Sequence, residues 1–171
     1  IASNAKEDLN NLSVGGRNYF KQNTTVSGYL AAVNRNNPDC PNGFSATGSQ
    51  DTSNNVRLNN VINDNGTWTV SGFVRGSQSV GIGFKVDICD SAGKNILVNV
   101  DKNNKWERFS YTVTITNYTD SVYNFVDFSG LNWAYFFFKD IKVEKGNKAT
   151  DWTPAPEDVD TAIASKAKTF V

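Results

Sequence analysis

The sequence predicts an antiparallel β-sandwich, and three observations carry that reading. Stretches of alternating apolar and polar residues recur through the middle of the chain, turn-forming residues separate them, and no helical period runs between them. Composition agrees with the pattern. The 171 residues include 23 asparagines, 14 serines and 14 threonines, types that favour turns and caps over helix interiors. Hydrophobic residues make up 39% and aromatics 12%, enough for one domain with a packed core.

At the start, Ile1, Ala5, Leu9 and Leu12 fall at helical spacing, with Asn4 as N-cap, Glu7 completing a capping box, and Gly15-Gly16 as the stop. Residues 34–53 are dense in Asn, Pro, Gly and Ser and predict a long loop. Alternation then defines the strands. In 67–74, Trp68, Val70 and Val74 share one face, while Thr67, Thr69, Ser71 and Phe73 share the other. In 80–88, Val80, Ile82, Phe84, Val86 and Ile88 alternate with Gly81, Gly83, Lys85 and Asp87. The turn chemistry of 90–95 makes 96–100 a hairpin partner. Further strands are predicted at 106–116, 121–128 and 133–143.

Pro154 and Pro156 end the sheet region. Glu157, Asp158 and Asp160 crowd the first turn of a closing helix that ends on Lys166 and Lys168, an order that complements the helix dipole. Val159, Ile163 and Ala167 share one face of it. The expected organisation is a connector over 1–16, the sandwich over 17–153 and a helical connector over 154–171. A first residue of Ile1 and the lack of any methionine suggest a piece of a larger protein.

Several chemistries are excluded or disfavoured. Without histidine the chain has no histidine-based nucleophile activation and no histidine zinc site, and two cysteines cannot supply a four-thiolate one. Cys40 and Cys89 are expected as free thiols. Seventeen basic residues balance seventeen acidic ones, which argues against nucleic acid or anionic lipid as partner. No apolar run approaches ~20 residues, so no membrane span is expected.

The stretch 139–158, KDIKVEKGNKATDWTPAPED, resembles a closing sequence frequent in structural proteins of tailed bacteriophages of Gram-positive hosts. GGRNYF at 15–20 looks like the first strand of the same modules, and TWTVSGFVRG at 67–76 and KWERFSYTVTI at 105–115 resemble their internal strands. The resemblance spans residues 15 to 158. It implies a jelly-roll β-sandwich like that of carbohydrate-binding modules, carried by a tail, baseplate or neck protein and engaging host cell-wall saccharide. It further implies synthesis in the host cytoplasm, a place in the virion acting at the bacterial surface, other tail proteins as partners, and a homo-oligomer. A structural calcium is a further implication, with Asp140 as the position to examine. The turn within 87–95 also has oxygen ligands, but a plain hairpin explains it better. The loop at 34–53 and the aromatic density of 133–138 depart from the family, so the saccharide itself does not carry over.

Sugar recognition needs flat rings for the apolar side of a pyranose and planar polar groups for its hydroxyls. Trp68, Trp106 and Trp152 are read as scaffold. Trp133 follows a turn, where the family usually has a smaller residue, and is a candidate ligand-facing ring with Tyr123 and Tyr135. Arg75, Lys85 and Asp87 are expected to line a groove above the trough left by Gly81 and Gly83, with Phe73 as platform. Arg75 or Lys85 would also suit phosphate groups on the polymer. An ordinary solvated sheet face fits the same positions. Asp87, Asp101, Glu107 and Asp127 contain no pair that the sequence singles out for glycoside hydrolysis, so no enzyme is expected. The competing readings are a structural spacer and, third, a glycan hydrolase.

Overall fold

Alternation buries one side of each strand, and two such sheets close on each other face to face. The structure, a computed structural model, describes residues 16–49, 54–86, 90–91, 96–98, 100, 104–120, 124–130 and 132–169. The strands are β1 Val26–Tyr29, β2 Ala31–Asn34, β3 Phe44–Gly48, β4 Asn55–Asn59, β5 Gly66–Gly76, β6 Val80–Val86, β7 Asp90–Ser91, β8 Ile96–Val98, β9 Glu107–Ile115, β10 Phe125–Ser129 and β11 Tyr135–Lys145. Helix α1, Pro156–Thr169, follows. One sheet has six strands in the order β1-β4-β10-β6-β7, with β8 also on β6; the other has five, β2-β3-β11-β5-β9. The pairings given by register are antiparallel throughout.

The core lies between the sheets. Val56, Leu58, Ile82, Phe84, Val126 and Phe128 come from the six-stranded side; Phe44, Trp68, Val70, Val74, Phe109, Phe136 and Phe138 come from the other. Phe128 reaches across to Phe138 at 4.6 Å and to Phe44 at 5.8 Å between ring centroids, and Phe44 stacks on Phe138 at 4.8 Å. Such pairs add roughly 0.5–1.5 kcal/mol each beyond the area they bury. Trp68 is fully buried, as its alternation predicts, and its indole N–H donates to the Asp64 carbonyl at 3.0 Å.

In β11 the parity slips. Phe136 and Phe138 face inward, then a bulge between Lys139 and Lys142 resets the register, with Asp140 at φ 49. After it, Ile141 and Val143 are the core residues, and Lys142 and Glu144 turn to the outer face. The residues that follow β11 close over that face. Lys142 Nζ donates to Thr150 Oγ1 at 2.8 Å and to the Asp151 carbonyl at 2.9 Å, and the Thr150 hydroxyl donates to Glu144 at 2.7 Å. Thr69 Oγ1 donates to the Gly146 carbonyl at 2.7 Å, and Thr69, Ser71, Lys142 and Glu144 are all buried.

The region 34–53, expected as loop, contains β3 and the tight approach that precedes it. A Cβ on Gly43 would lie 1.9 Å from the Phe138 carbonyl oxygen, so only glycine lets this segment dock on β11. Of the segment likened to a first strand, residues 16–20 belong to no strand, but the Tyr19 N–H donates to the Val143 carbonyl at 2.8 Å alongside β11. The closing helix forms as expected, with Glu157 and Asp158 in its first turn and none of its residues buried. The predicted opening helix over 1–13 lies outside the described residues. Among those described, no helix is long and apolar enough to cross a membrane.

Candidate functional site

Side chains that alternate away from the core leave each sheet with an outer face, and on the six-stranded sheet that face is a polar trough. Cross-strand register sets Asp127 of β10 between Arg57 of β4 and Gly83 of β6, and Ser129 between Asn55 and Gly81. The two glycines give β6 no side chain at those positions. A cleft of about 430 Å³ opens at one end, lined by Tyr29, Asn54, Asn55, Arg57, Ser129, Gly130 and Asn132.

Its polar groups hold one another in place. Asn55 Nδ2 donates to Asp127 Oδ1 at 2.9 Å, and Asn54 Nδ2 donates to Asn132 Oδ1 at 3.2 Å. The Arg57 guanidinium lies 4.6 Å from the Phe125 ring centroid. Two buried atoms of this set, Asn55 Oδ1 and Arg57 Nε, have no hydrogen-bond partner within the protein. Asp127 is buried, and desolvation pushes its carboxyl above the usual range against the opposing pull of Lys85, Arg57 and the Asn55 hydrogen bond. One exposed ring, Tyr29, lines the cleft; Trp133 follows Asn132 in the β10–β11 turn at φ 51 and is 68% exposed.

Phe73, Arg75 and Lys85, predicted to line one groove with Asp87, do not share a surface. β5 and β6 are consecutive in sequence but belong to different sheets, so Phe73 and Arg75 lie on the opposite side of the sandwich from Lys85. Asp87 and Tyr123 lie outside the described residues. Tyr135 is half exposed at the start of β11, on the same face as Phe73 and Arg75. Trp106, read as scaffold, lies half-buried beside Arg75 and Lys139 on that face. The sequence reading did not single out Tyr29, Asn55, Arg57 or Asn132.

Asp140 sits in the β11 bulge. Its carboxylate accepts from Asn42 Nδ2 at 3.3 Å, while the carbonyls of Pro41 and Asn42 accept from the Asp140 and Ile141 amides. No group of three or more His, Cys, Asp or Glu suited to a metal ion occurs among the described residues. Cys40 is a buried free thiol, its pKa raised by that burial; Cys89 lies outside the described residues.

Two packed antiparallel sheets in this order define a jelly-roll β-sandwich. Solved structures of that type superpose on most of the chain. A CBM4 module matches at TM-score 0.52 and 12% identity over 71% of this chain and 94% of its own. A family 29 module complexed with cellulohexaose matches at 0.52 and 12%, over 74% and 87%. A family 29 module complexed with mannohexaose matches at 0.54 and 10%, over 78% and 92%. No protein-family model and no curated protein matches the sequence.

Proposed function

We propose that the chain is a non-catalytic saccharide-binding module whose ligand occupies the cleft on the six-stranded sheet. The observation that carries this reading is a cleft walled by the polar side chains of Asn54, Asn55, Arg57, Ser129 and Asn132 beside the exposed ring of Tyr29. A sugar hydroxyl both donates and accepts, so a run of hydroxyls suits amide and guanidinium groups together. Tyr29 and Trp133 offer flat faces to the C–H side of a pyranose. The hexasaccharides bound by the family 29 neighbours support this ligand class. Asp127 and Glu107, two of the acids weighed for hydrolysis, belong to different sheets, which supports binding without cleavage.

The resemblance of residues 139–158 to phage closing segments supports the finer reading. In it the module belongs to a tail, baseplate or neck protein, is made in the host cytoplasm, and binds cell-wall saccharide at the bacterial surface during adsorption. Weak single sites on a homo-oligomer among other tail proteins would gain strength by avidity.

Titration of the chain with cellulohexaose, mannohexaose and host cell-wall polysaccharide tests the reading. Binding of at least one is expected, weakened about ten-fold by Asn55→Ala through loss of its hydrogen bonds. A folded chain that binds none of them, and fails as a labelled protein to stain sensitive cells, would leave the spacer reading in its place.

A further inference from the structure

The far side of the sandwich carries a different kind of surface. The segment after β11 covers the five-stranded sheet's outer face at Lys142 and Glu144, beyond the bulge; before the bulge the face is partly exposed. There Lys139 of β11, Phe73 of β5 and Arg108 of β9 form one row across three adjacent strands, with Phe137 and Arg75 in the next. Every cation lies over a ring. Arg75 is 4.7 Å from the Phe137 centroid and 4.9 Å from that of Trp106; Lys139 is 4.6 Å from Trp106; Arg108 is 5.3 Å from Phe73.

Little negative charge balances them. Arg75 meets Asp39 only at 3.9 Å, and no ion pair joins Lys139 or Arg108 to a carboxylate among the described residues. Arg75 Nε is buried without a hydrogen-bond partner. In a chain of zero net charge, this is a local concentration of positive charge.

We propose that this face is a second binding surface, for a polysaccharide bearing anionic groups at intervals along its chain. The rings beneath fix the cationic heads, so binding orders little that is not already ordered. The guanidinium forks suit carboxylate or phosphate oxygens in pairs. Lys139 and Arg108 stand two strand spacings apart, roughly 10 Å, which suits a repeating polyanion better than one small anion. Nucleic acid would need open rings for its bases to stack on, and here the cations lie over Phe73, Trp106 and Phe137. The surface is independent of the cleft, which opens on the other sheet.

The test titrates the whole chain with polygalacturonate, poly(glycerol phosphate), neutral dextran and oligo(dT) at low and high salt. Binding of one or both acidic polymers but not dextran is expected, weakening steeply with salt; which polymer binds distinguishes carboxylate from phosphate as the partner. Lys139→Glu/Arg108→Glu should weaken it about ten-fold or more, with the chain still folded and any neutral-oligosaccharide binding in the cleft unchanged. Lys139→Gln supplies a milder variant should the double one unfold, and should weaken binding in the same direction. Undiminished binding by the folded variants, preference for oligo(dT), or no binding of either acidic polymer would overturn the proposal.

Discussion

Asp127 shows how a single residue can be costly to the fold and suited to a ligand. It is buried beneath the cleft, and desolvation raises its pKa above the reference 3.8 despite Arg57, Lys85 and Asn55. Ionisation is therefore harder in the folded chain than in the unfolded one. The stability contributed by the neutral carboxyl is fully present below 3.8 and is lost as pH rises from there through the folded value. Asp127→Asn stays neutral and keeps an oxygen to accept from Asn55. Thermal melts from pH 3 to 7 should show the variant gaining on the parent as pH rises, then holding a constant lead. Single residues also mark where sequence reading reached its limit. Tyr135 was identifiable as a candidate from its place in the aromatic run, and Phe137 follows it on the same face by simple alternation. That Trp106 lies against Arg75 and Lys139 was not legible, because it joins residues from three separate stretches of chain.

Among the elements, the long strands declared themselves. β5, β6 and β9 have unbroken alternation, and each lies within a residue or two of its predicted span. β4 hid itself. Val56 and Leu58 alternate inward, but Asn55, Arg57 and Asn59 point out, so the strand reads as part of an Asn-rich loop. Two of the polar residues that obscured the strand, Asn55 and Arg57, line the cleft. The bulge in β11 was invisible for another reason: alternation continues on both sides of Asp140, but with its phase reversed. That reversal puts Lys142 on the outer face, where burial lowers its pKa and Thr150, Asp151 and Glu144 surround it. Lys142→Ala would leave the buried Glu144 without its neighbouring charge, and should cost about 3–5 kcal/mol in urea unfolding. Proteases should also cut faster within 147–155, where the covering segment loses its anchor.

For the molecule as a whole, the architecture was legible while the assignment of strands to sheets was not. Sequence order suggested that β5 and β6 would share a surface; the crossover between sheets places them back to back. The proposed saccharide cleft and the proposed polyanion surface consequently face opposite directions. Helix α1 adds little to this body, since none of its residues is buried. Its ties are the Arg17–Glu157 ion pair and the Gln22 amide, which donates to Asp158 at 3.0 Å. Removing residues after Ala155 should change the unfolding free energy by less than about 1 kcal/mol, because exposed pairs of this kind contribute little. Chemical denaturation of the shortened chain checks it.

Those ties have a mechanical consequence. Arg17 and Glu157 are in contact although 140 residues separate them, and Tyr19 runs beside Val143. Strain applied between residues 17 and 157 would first peel apart this short seam, one bond at a time, before loading either sheet. Until the seam parts, both faces would keep their shape under tension, and a polymer held on either would feel a rigid anchor.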